Sequence, residues 1–569
     1  HSPGPAEPRV YFDPMPVSVL FRFRCALAGG LLPPALALLL ACGSDGTATP
    51  PPPPGLVVTI STPTSGAVLN DSLTLTASAS APTGIIGVQF KIDGANLGAE
   101  VGTAPYALRI DSYAFTDGPH TVSAQARDSA GQTALSPAVA VTIQNPRPND
   151  IVLILSDDQR YDLMGYMPLT DAALTSETVR FDQAVVTTSL CCPSRSSIMT
   201  GRYAHNHGVL TNGLPNGGAS KFDPSSTIAT WLTQAGYRTA LLGKYLNGYD
   251  QLSPAVPPGW ADFEAFVLPE YNNYSLNGNG TLTRYGATPA DYSTDVLTAK
   301  AEQFIGSTNP RQGLFLYLTP FAPHAPARPA PGDVGAFNGV APWRPLSFDE
   351  ADVSDKPAWI RALPRLTQAK VAAGDSLRQH QLESLLAVDR MVSGVVAALK
   401  QSGRWPHTLL VFSSDNGYSW GEHRWLDAKM CPYQECIRVP LWIRAPGLRA
   451  RHDTSLAANI DLAPTFAAWA GISTPANVNG VSLLPLLSDP ATPWRSAILV
   501  EHLGTPIPGH IDSQGVRTSR YLYNEYINGD RELYDLQLDP LELTNVVNDP
   551  AYAATVATLQ ATLATLKAS

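Results

Sequence analysis

Alternating apolar and polar residues mark the first part of the chain as rich in β-strands. Between residues 55 and 145, turn-forming residues separate four such runs: LVVTI (56–60), SLTLTASA (72–79), GVQFKIDG (87–94) and HTVSAQARD (120–128). An alternation with a period of two places every second side chain on the same face of a strand, so one face can be buried. The pattern predicts an all-β sandwich over residues 55–145.

From residue 148 onward, apolar runs alternate with helix-like stretches, which predicts a mixed α/β sheet flanked by helices. Four predicted strands run directly into polar segments: IVLIL (151–155), TALL (239–242), LFLYL (314–318) and TLLVF (408–412). The residues that follow them include Asp157, Asp158, Lys244, His324, Asp415 and Asn416. Ligands of open α/β sheets bind beyond the carboxyl ends of the strands. We therefore expect these side chains to meet at one edge of the sheet.

One helix is clearly delimited before the strand at 408–412. Asp375 or Ser376 suits its N-cap and Gly403 suits its end. Apolar residues recur between them at helical spacing: Leu382, Leu385, Val388, Val392, Val395 and Leu399. This spacing predicts a helix that packs on the sheet and has a structural role.

The first 42 residues have the pattern of an export leader. A basic stretch precedes the apolar run 35–40, and the sequence LLAC ends at Cys42. That ending resembles a bacterial lipobox, which predicts lipidation of Cys42 and a proline-rich linker over residues 43–54. A signal peptide cleaved nearby and a buried helix are the alternatives, but Pro33 and Pro34 disfavour a core helix and a membrane span. We expect export, either to the bacterial cell envelope as a lipoprotein or into the medium.

Composition and charge limit the class of function. A chain of 569 residues exceeds what one compact core holds, so two or more domains are expected, and 51 prolines indicate linkers and long loops. The net charge of −10, from 38 basic and 48 acidic residues, gives no general attraction for nucleic acid. An anionic substrate must therefore meet local cations.

The sharpest motif is CCPSR at residues 191–195, followed by SSIMTGRYAHNHGV. Pro193 suits the first turn of a helix, so Cys191 is predicted at a helix N-terminus, where free N–H groups and the helix dipole favour an anion. A nucleophile at this position could meet a sulfate or phosphate ester, whereas the alternative is an inert buried pair of cysteines. Cys431 and Cys436 could close a small disulfide in an oxidising compartment or remain free thiols.

Asp157, Asp158, Asp415 and Asn416 offer four hard oxygen ligands from two strand ends. Such a set suits Ca²⁺ or Mg²⁺ rather than zinc, because neither thiolate nor imidazole belongs to it. The alternative is that these side chains cap helices and turns.

The CxPxR pattern with a downstream TGR resembles the signature of type I, formylglycine-dependent sulfatases of the alkaline-phosphatase-like superfamily. LILSDDQ and FSSDNGY resemble the metal-binding strand ends of that family, and VQFKIDGANLG resembles bacterial immunoglobulin-like modules. The resemblance implies a sulfatase domain over residues 148–569, with a smaller C-terminal subdomain from about residue 490, behind an immunoglobulin-like sandwich. That sandwich would be a spacer or, alternatively, a glycan-binding module.

The resemblance also implies roles for individual residues. A separate formylglycine-generating enzyme would oxidise Cys191 to formylglycine, and Arg195 would hold the hydrated aldehyde. One calcium ion would be bound by Asp157, Asp158, Asp415 and Asn416. Three side chains would grip the sulfate and protonate the leaving oxygen: Lys244, His324 and Lys429. One hydroxyl of the hydrated aldehyde would attack sulfur, and the second would later expel sulfate.

One position departs from the family pattern. Many sulfatases have GKWHxG after the predicted strand at 239–242, whereas this chain has GKYLNG, with Leu246 at the aligned position. His205, His207 or Asn247 could fill the space of the missing histidine. GKYLN together with CCPSR and HNHGV resembles the branch of N-acetylglucosamine-6-sulfatases and heparan endosulfatases. This resemblance implies sulfated glycans, such as 6-sulfated N-acetylglucosamine, as substrates.

Two other functions remain open on the sequence. Some relatives of this family use formylglycine and the same metal site to hydrolyse phosphodiesters or phosphonate monoesters. A surface lipoprotein with an inactive sulfatase-like domain that only binds glycans is the alternative from another class.

Overall fold

The computed structural model describes residues 55–504 and 511–569. The leader and linker predicted for residues 1–42 and 43–54 lie outside the described residues. Among the described residues, no helix has both the length and the apolar character that a membrane span requires.

The N-terminal strands form two facing sheets, in the orders β1-β3-β6 and β2-β9-β7-β4-β5, with β8 beside β7. The bounds are β1 Val57–Thr62, β2 Ala67–Leu69, β3 Ser72–Ser80, β4 Ile85–Ile92, β5 Ala95–Val101, β6 Tyr106–Asp111, β7 Gly118–Asp128, β8 Thr133–Leu135 and β9 Val139–Ile143. Alternate side chains, among them Leu75, Val88, Phe90 and Val122, are buried in a shared apolar core. The predicted all-β sandwich is therefore present, and its core follows from the period of two in the sequence.

A ten-stranded mixed sheet follows, in the order β15-β14-β13-β12-β16-β10-β17-β20-β11-β21. The bounds are β10 Asp150–Ser156, β11 Thr178–Val185, β12 Arg238–Gly243, β13 Asp262–Phe266, β14 Ser275–Gly278, β15 Thr281–Arg284, β16 Leu314–Thr319, β17 Thr408–Ser414, β20 Leu441–Arg444 and β21 Arg451–Ala458; the short pair β18 Ser419–Trp420 and β19 Leu426–Ala428 lies outside it. At its centre β12, β16, β10 and β17 run parallel. The four strands whose ends carry polar residues are therefore direct neighbours.

Helices and loops cover both faces of this sheet, and each face has its own apolar core. The helices are α1 Pro168–Ala173, α2 Cys191–Thr200, α3 Ala204–His207, α4 Ile228–Gln234, α5 Ser293–Ser307, α6 Ala358–Arg361, α7 Gln368–Gln401, α8 Gln434–Ile437, α9 Leu462–Trp469, α10 Leu484–Ser488 and α11 Ala553–Lys567. Burial on both faces explains why β10, β16 and β17 have continuous apolar runs rather than alternation.

Helix α7 contains the predicted helix but begins earlier. Thr367, not Asp375 or Ser376, is its N-cap, and the Thr367 side chain accepts a hydrogen bond from the Lys370 N–H. The prediction of the cap was wrong because the residues between them include good helix formers, such as Lys370, which let the helix extend back to an earlier threonine. All six apolar residues predicted for this helix are buried: Leu382, Leu385, Val388, Val392, Val395 and Leu399.

The C-terminal part forms a four-stranded antiparallel sheet in the order β22-β23-β24-β25. Its bounds are β22 Ala497–His502, β23 Ser513–Thr518, β24 Tyr521–Tyr526 and β25 Arg531–Asp535. Apolar residues of this sheet and of α11 join the core on one face of the large sheet. The small sheet thus packs directly against the large one.

A disulfide joins Cys431 and Cys436. Of the two alternatives that the sequence leaves open, the paired state is therefore the one observed. The bond connects the segment after Lys429 to helix α8.

Candidate active site

The ends of β10 and β17 bring the predicted oxygen ligands together. These strands pair in parallel up to Ser156 and Ser414, so the residues after them leave the sheet at the same edge. The Asp158 backbone N–H donates to Oδ1 of Asp415 at 3.1 Å, and Nδ2 of Asn416 donates to Oδ1 of Asp158 at 2.6 Å. Asp158 adopts a left-handed backbone conformation with φ of 65°, which is costly for a residue with a Cβ and is retained most often at functional sites.

Cys191 is the first residue of α2, as the CCPSR motif predicts. Its side chain is fully buried. Sγ lies 3.6 Å from Oδ1 of Asp157 and accepts a hydrogen bond from Nζ of Lys429 at 2.8 Å. The thiol therefore lies between a predicted metal ligand and a predicted sulfate-binding ammonium group.

Arg195 is buried one turn further along α2 and connects three strand ends. Its Nε donates to Oδ2 of Asp415 at 2.8 Å, and its Nη2 lies 3.4 Å from Oδ2 of Asp157. Nη1 donates to the Lys244 carbonyl oxygen at 2.9 Å. A planar guanidinium with several donors suits this bridging position.

Two lysines reach the same point from different directions. Nζ of Lys244 lies 2.5 Å from Oδ2 of Asp157, and Nζ of Lys429 lies 2.5 Å from Oδ1 of Asp158. Lys244 follows Gly243, whose φ is +118° and where a Cβ would lie 2.1 Å from the Thr319 carbonyl oxygen. Only glycine permits β12 to approach β16 so closely at the point where the chain turns toward the site.

His324 reaches the site from the loop after β16. Its ring stacks on Phe321 with a centroid distance of 4.7 Å, and its Nδ1 lies 2.6 Å from the Ala325 carbonyl oxygen. That acceptor requires the proton on Nδ1, so Nε2, 3.5 Å from Oδ2 of Asp158, can donate only when the ring is protonated. His324 can therefore act as an acid only in its imidazolium form, which burial disfavours: burial lowers the pKa of His324, and attraction from Asp158 and Asp157 offsets this only in part.

Burial and charge act in opposite directions on the ionisable groups. Burial raises the pKa of Asp157, but Lys244, His324 and Arg195 outweigh it and hold that pKa at about 2. Burial raises the pKa of the Cys191 thiol to about 12, despite attraction from Lys244 and Lys429. An unmodified Cys191 is thus protonated at neutral pH and is a weak nucleophile.

The oxygen set fits a hard divalent cation. Oδ1 of Asn416 is buried and has no hydrogen-bond partner among the described residues. The three carboxylates of Asp157, Asp158 and Asp415 lie next to it, and Arg195, Lys244 and Lys429 match their charge. Oxygen ligands of this kind suit Ca²⁺. With a divalent ion bound, the cluster would carry a net positive charge and attract a sulfate ester.

The residues suggested as replacements for the missing histidine have other contacts. Nε2 of His207 bonds to Oγ of Ser197 at 3.0 Å, and burial lowers the pKa of His207 to about 3. Nδ1 of His205 lies 3.0 Å from both carboxylate oxygens of Glu501. Asn247 accepts the Ala219 N–H through its backbone oxygen, whereas its side-chain Oδ1 is buried and makes no hydrogen bond among the described residues. None of these hydrogen bonds joins His205, His207 or Asn247 to one of the nine predicted site residues.

Two supporting residues were not identified in the sequence. Tyr271 donates its hydroxyl to the His324 carbonyl oxygen at 2.6 Å, and Asn212 accepts the Cys192 N–H at 2.9 Å through its side chain. Both lie in loops, where no periodicity indicates which way a side chain points.

Comparisons with protein families agree with this geometry. Residues 149–472 match the family model "Sulfatase", residues 421–569 match "N-sulphoglucosamine sulphohydrolase, C-terminal", and residues 57–124 match "Bacterial Ig domain". The predicted α/β fold with an N-terminal immunoglobulin-like sandwich is thereby confirmed.

Similar proteins include named sulfatases. A "Putative extracellular sulfatase Sulf-1 homolog" of Caenorhabditis elegans is 35% identical over 62% of this chain, and the chain spans about half (52%) of that protein. The N-acetylglucosamine-6-sulfatase of Homo sapiens is 34% identical over 63% of this chain and 68% of its own length. A solved structure described as a complex with its substrate D-glucosamine-2-N,6-O-disulfate matches 74% of this chain and 97% of its own, with a TM-score of 0.64 and 24% identity.

Proposed function

The chain belongs to the sulfatase family, and we propose that it hydrolyses sulfate esters of glycans at the edge of the large sheet, with residue 191 as the nucleophile. The observation that carries this proposal is the position of Cys191, whose Sγ lies 2.8 Å from Nζ of Lys429 and 3.6 Å from Oδ1 of Asp157. A group at this point would meet a sulfuryl group held between an ammonium and a metal-binding cluster.

Each side chain around residue 191 has its own role in substrate binding or proton transfer in this proposal. Lys244 and Lys429 would neutralise charge that develops on the sulfuryl oxygens, and Arg195 would orient residue 191 from the next turn of α2. His324 would give a proton to the leaving alcohol oxygen from Nε2, with Nδ1 held by the Ala325 carbonyl oxygen. Burial of Cys191 and Arg195 excludes water from the attacking side.

Two groups absent from the polypeptide complete the proposal. Calcium, bound by Asp157, Asp158, Asp415 and Asn416, would supply a positive charge that polarises a sulfuryl oxygen. Conversion of Cys191 to formylglycine by a maturing enzyme would supply a hydrated aldehyde, with one hydroxyl to take the sulfuryl group and one to expel sulfate. The buried, protonated thiol is a poor substitute for that nucleophile, which favours the conversion.

For the substrate we propose sulfated glucosamine units, with the 6-sulfate as the ester that is cleaved. The support is the similarity to N-acetylglucosamine-6-sulfatase and to the protein solved with D-glucosamine-2-N,6-O-disulfate. The net charge of −10 disfavours a long-range attraction for a polysulfated chain, so selectivity would depend on local cations.

We propose export for this protein. The leader pattern at residues 1–42 and its Cys42 support a lipoprotein, and the Cys431–Cys436 disulfide fits an oxidising compartment. Labelling of cells with a radioactive fatty acid tests the anchor, since Cys42→Ala should remove the label and release the protein from the membrane fraction.

The first experiment is a substrate comparison with a matched pair of variants. Chromogenic sulfate, phosphate diester and phosphonate monoester substrates are offered to the wild type, to Cys191→Ala and to Cys192→Ala. Both cysteines are buried and free, but only Cys191 contacts Lys429, so only Cys191→Ala should abolish turnover. Defined sulfated saccharides then identify the ester from the release of sulfate.

Each alternative function gives a different result. If the protein prefers the phosphodiester or the phosphonate to the sulfate ester, its function is hydrolysis of that phosphorus ester and not of sulfate esters. Binding of sulfated glycans without turnover, together with an unmodified Cys191 in the mass spectrum of its peptide, would identify an inactive glycan-binding protein.

A further inference from the structure

A second basic pocket lies away from the active site, between the large sheet and the C-terminal sheet. Its cavity has a volume of about 330 Å³ and is lined by side chains of Gln183 on β11, Gln434 on α8, Arg438, Arg517 on β23 and Arg520. We name it the seam pocket. None of the nine predicted active-site residues lines it, and none of its lining residues in the described ranges has a carboxylate side chain.

Arg517 is the central feature of the seam pocket because it is a buried cation without a close counter-ion. Its exposed fraction is 3%. Nη2 donates to Oε1 of Gln183 at 2.8 Å and to Oε1 of Gln434 at 3.1 Å, which are neutral acceptors. Among the described residues, no carboxylate lies within 4.0 Å of it, whereas Arg195, equally buried, is paired with Asp415 at 2.8 Å. A buried charge without a partner is strongly unfavourable.

Two donor atoms of Arg517 are also without partners. Nε and Nη1 are buried and make no hydrogen bond among the described residues. Buried guanidinium N–H groups are nearly always satisfied in native proteins. A guanidinium presents its donors in a planar fork that matches two oxygens of a sulfate or phosphate group. An oxyanion that reaches Arg517 from the pocket would satisfy the unpaired donors and would also supply the missing counter-ion.

The neighbouring side chains strengthen this argument. Arg438 also has no carboxylate within 4.0 Å among the described residues, and it is held by a hydrogen bond from Nη2 to the Asp182 carbonyl oxygen at 2.7 Å and by stacking on Tyr161. Two like charges that face one cavity repel each other unless an anion lies between them. Arg520 differs, because Asp535 already pairs with it at 2.6 Å.

The attraction of the buried Glu542 does not compensate Arg517. Glu542 lies behind Gln434, whose N–H donates to Oε2 of Glu542 at 2.9 Å. Burial, and then the adjacent Arg438, lower the pKa of Arg517 to about 10, and the attraction of Glu542 does not offset them. Arg517 still carries its charge at neutral pH.

We propose that the seam pocket binds a tetrahedral oxyanion, with Arg517 as the forked donor and Arg438 as the second cation. The ligand is either a free sulfate or phosphate ion or a sulfo group on a glycan chain whose other end reaches the active site. The chemistry is the same in both cases, and the source decides whether the pocket affects substrate affinity. Binding of a free ion does not depend on the proposed function, whereas binding of a sulfo group on a glycan substrate rests on the proposed function.

Selenate tests the site directly because it is a tetrahedral oxyanion with an anomalous signal. Crystals of the wild type, Arg517→Gln and Arg520→Gln are soaked in selenate at graded millimolar concentrations. We expect a selenium peak beside Arg517 in the wild type and in Arg520→Gln, with selenate oxygens within hydrogen-bond distance of the guanidinium, and no peak there in Arg517→Gln. The Arg520→Gln variant is the matched control, since it removes an arginine of the same pocket that is already paired with Asp535.

Arg517→Lys covers the case in which Arg517→Gln does not fold, because lysine keeps the charge but lacks the fork. We expect it to weaken selenate binding at least tenfold while circular dichroism stays unchanged. An empty seam pocket in the wild type, or a selenium peak of unchanged occupancy and affinity in both Arg517 variants, would overturn the proposal.

Kinetics distinguish the two sources of the oxyanion and separate this proposal from the proposed function. Arg517→Lys should hydrolyse a small chromogenic sulfate ester within twofold of the wild-type rate. If the ligand is a sulfo group of a glycan, KM for a sulfated oligosaccharide rises at least fivefold in this variant; if it is a free ion, that KM is unchanged. Absence of all turnover in the wild type would contradict the proposed function, and the selenate result would stand independently.

Discussion

The active-site edge and the seam pocket are both basic, but they differ in how their charges are balanced. At the active site, Arg195, Lys244 and Lys429 are each paired with an aspartate at 2.5 to 2.8 Å. In the seam pocket, the hydrogen bonds of Arg517 to other described residues go to the neutral side-chain oxygens of Gln183 and Gln434. Both regions have buried atoms without a hydrogen bond among the described residues. At the active site they include Oδ1 of Asn416, and also Nη2 of Arg195 and Oδ2 of Asp157, which lie 3.4 Å apart as an ion pair. In the seam pocket they are Nε and Nη1 of Arg517, and no carboxylate lies near them within the described part of the chain.

This difference supports the ligand that we propose for each region. A cluster with balanced charges and a spare oxygen has room for a cation, and its net charge becomes positive only when that cation is bound. A cluster with spare N–H donors and excess positive charge has room for an anion. One segment, from Lys429 to Arg438, contributes to both regions, and the Cys431–Cys436 disulfide lies within it.

The largest effect is expected at residue 191. Cys191→Ala should lower kcat by at least about a thousandfold, since it removes the proposed nucleophile. Cys192→Ala should retain activity within a few-fold, because Cys192 packs in the apolar core. Steady-state rates on a sulfate ester, with circular dichroism as the folding control, provide the measurement. Near-normal turnover by Cys191→Ala would rule out residue 191 as the nucleophile.

Loss of a paired lysine should come next. Lys429→Ala should lower kcat about a hundredfold, because it removes a charge adjacent to residue 191 and leaves Asp158 without its ammonium partner. Lys221→Ala, at an exposed lysine, is the control and should have no effect. If the two variants show equal rates, Lys429 takes no part in charge stabilisation.

Removal of the cation should affect stability as well as activity. Calcium at one hundred times its dissociation constant would stabilise the protein by about 2.7 kcal/mol. Thermal unfolding is therefore followed in a chelator and in graded calcium, for the wild type and for Asn416→Ala. We expect a higher Tm with calcium, and a higher calcium requirement in the variant. A Tm that is identical in chelator and in calcium contradicts the assignment of these ligands.

The smallest effect is expected from the segment shared by the two regions. Replacing both Cys431 and Cys436 by serine should lower the free energy of unfolding by roughly 2 kcal/mol, the value for so short a loop. Activity should fall only several-fold, because the N–H groups of Met430 and Cys431 still donate to Ser189. Denaturant unfolding measures the first effect and kcat the second, and unchanged stability would show that the disulfide does not hold this segment.

The parts of the fold that could be predicted are those that depend on local patterns. The period of two gave the sandwich strands, the apolar runs gave β10, β12, β16 and β17, and the CCPSR motif gave the start of α2 at Cys191. The N-cap of α7 could not be assigned, because Thr367, Asp375 and Ser376 are all acceptable caps. Which of the three is the N-cap depends on whether residues 368–374 are helical, and in the structure they are.

The sequence alone predicted the residues of the candidate active site, since each of them belongs to a short motif that follows a strand end or begins a helix. Three features could be established only from the tertiary structure: the pairing of Cys431 with Cys436, the contacts of His205 and His207, and the seam pocket. Arg517 is 334 residues from Gln183 and 83 residues from Gln434 in the sequence, so no local pattern relates the three. Only the packing of one sheet against another places this buried arginine where no carboxylate from the described ranges pairs with it.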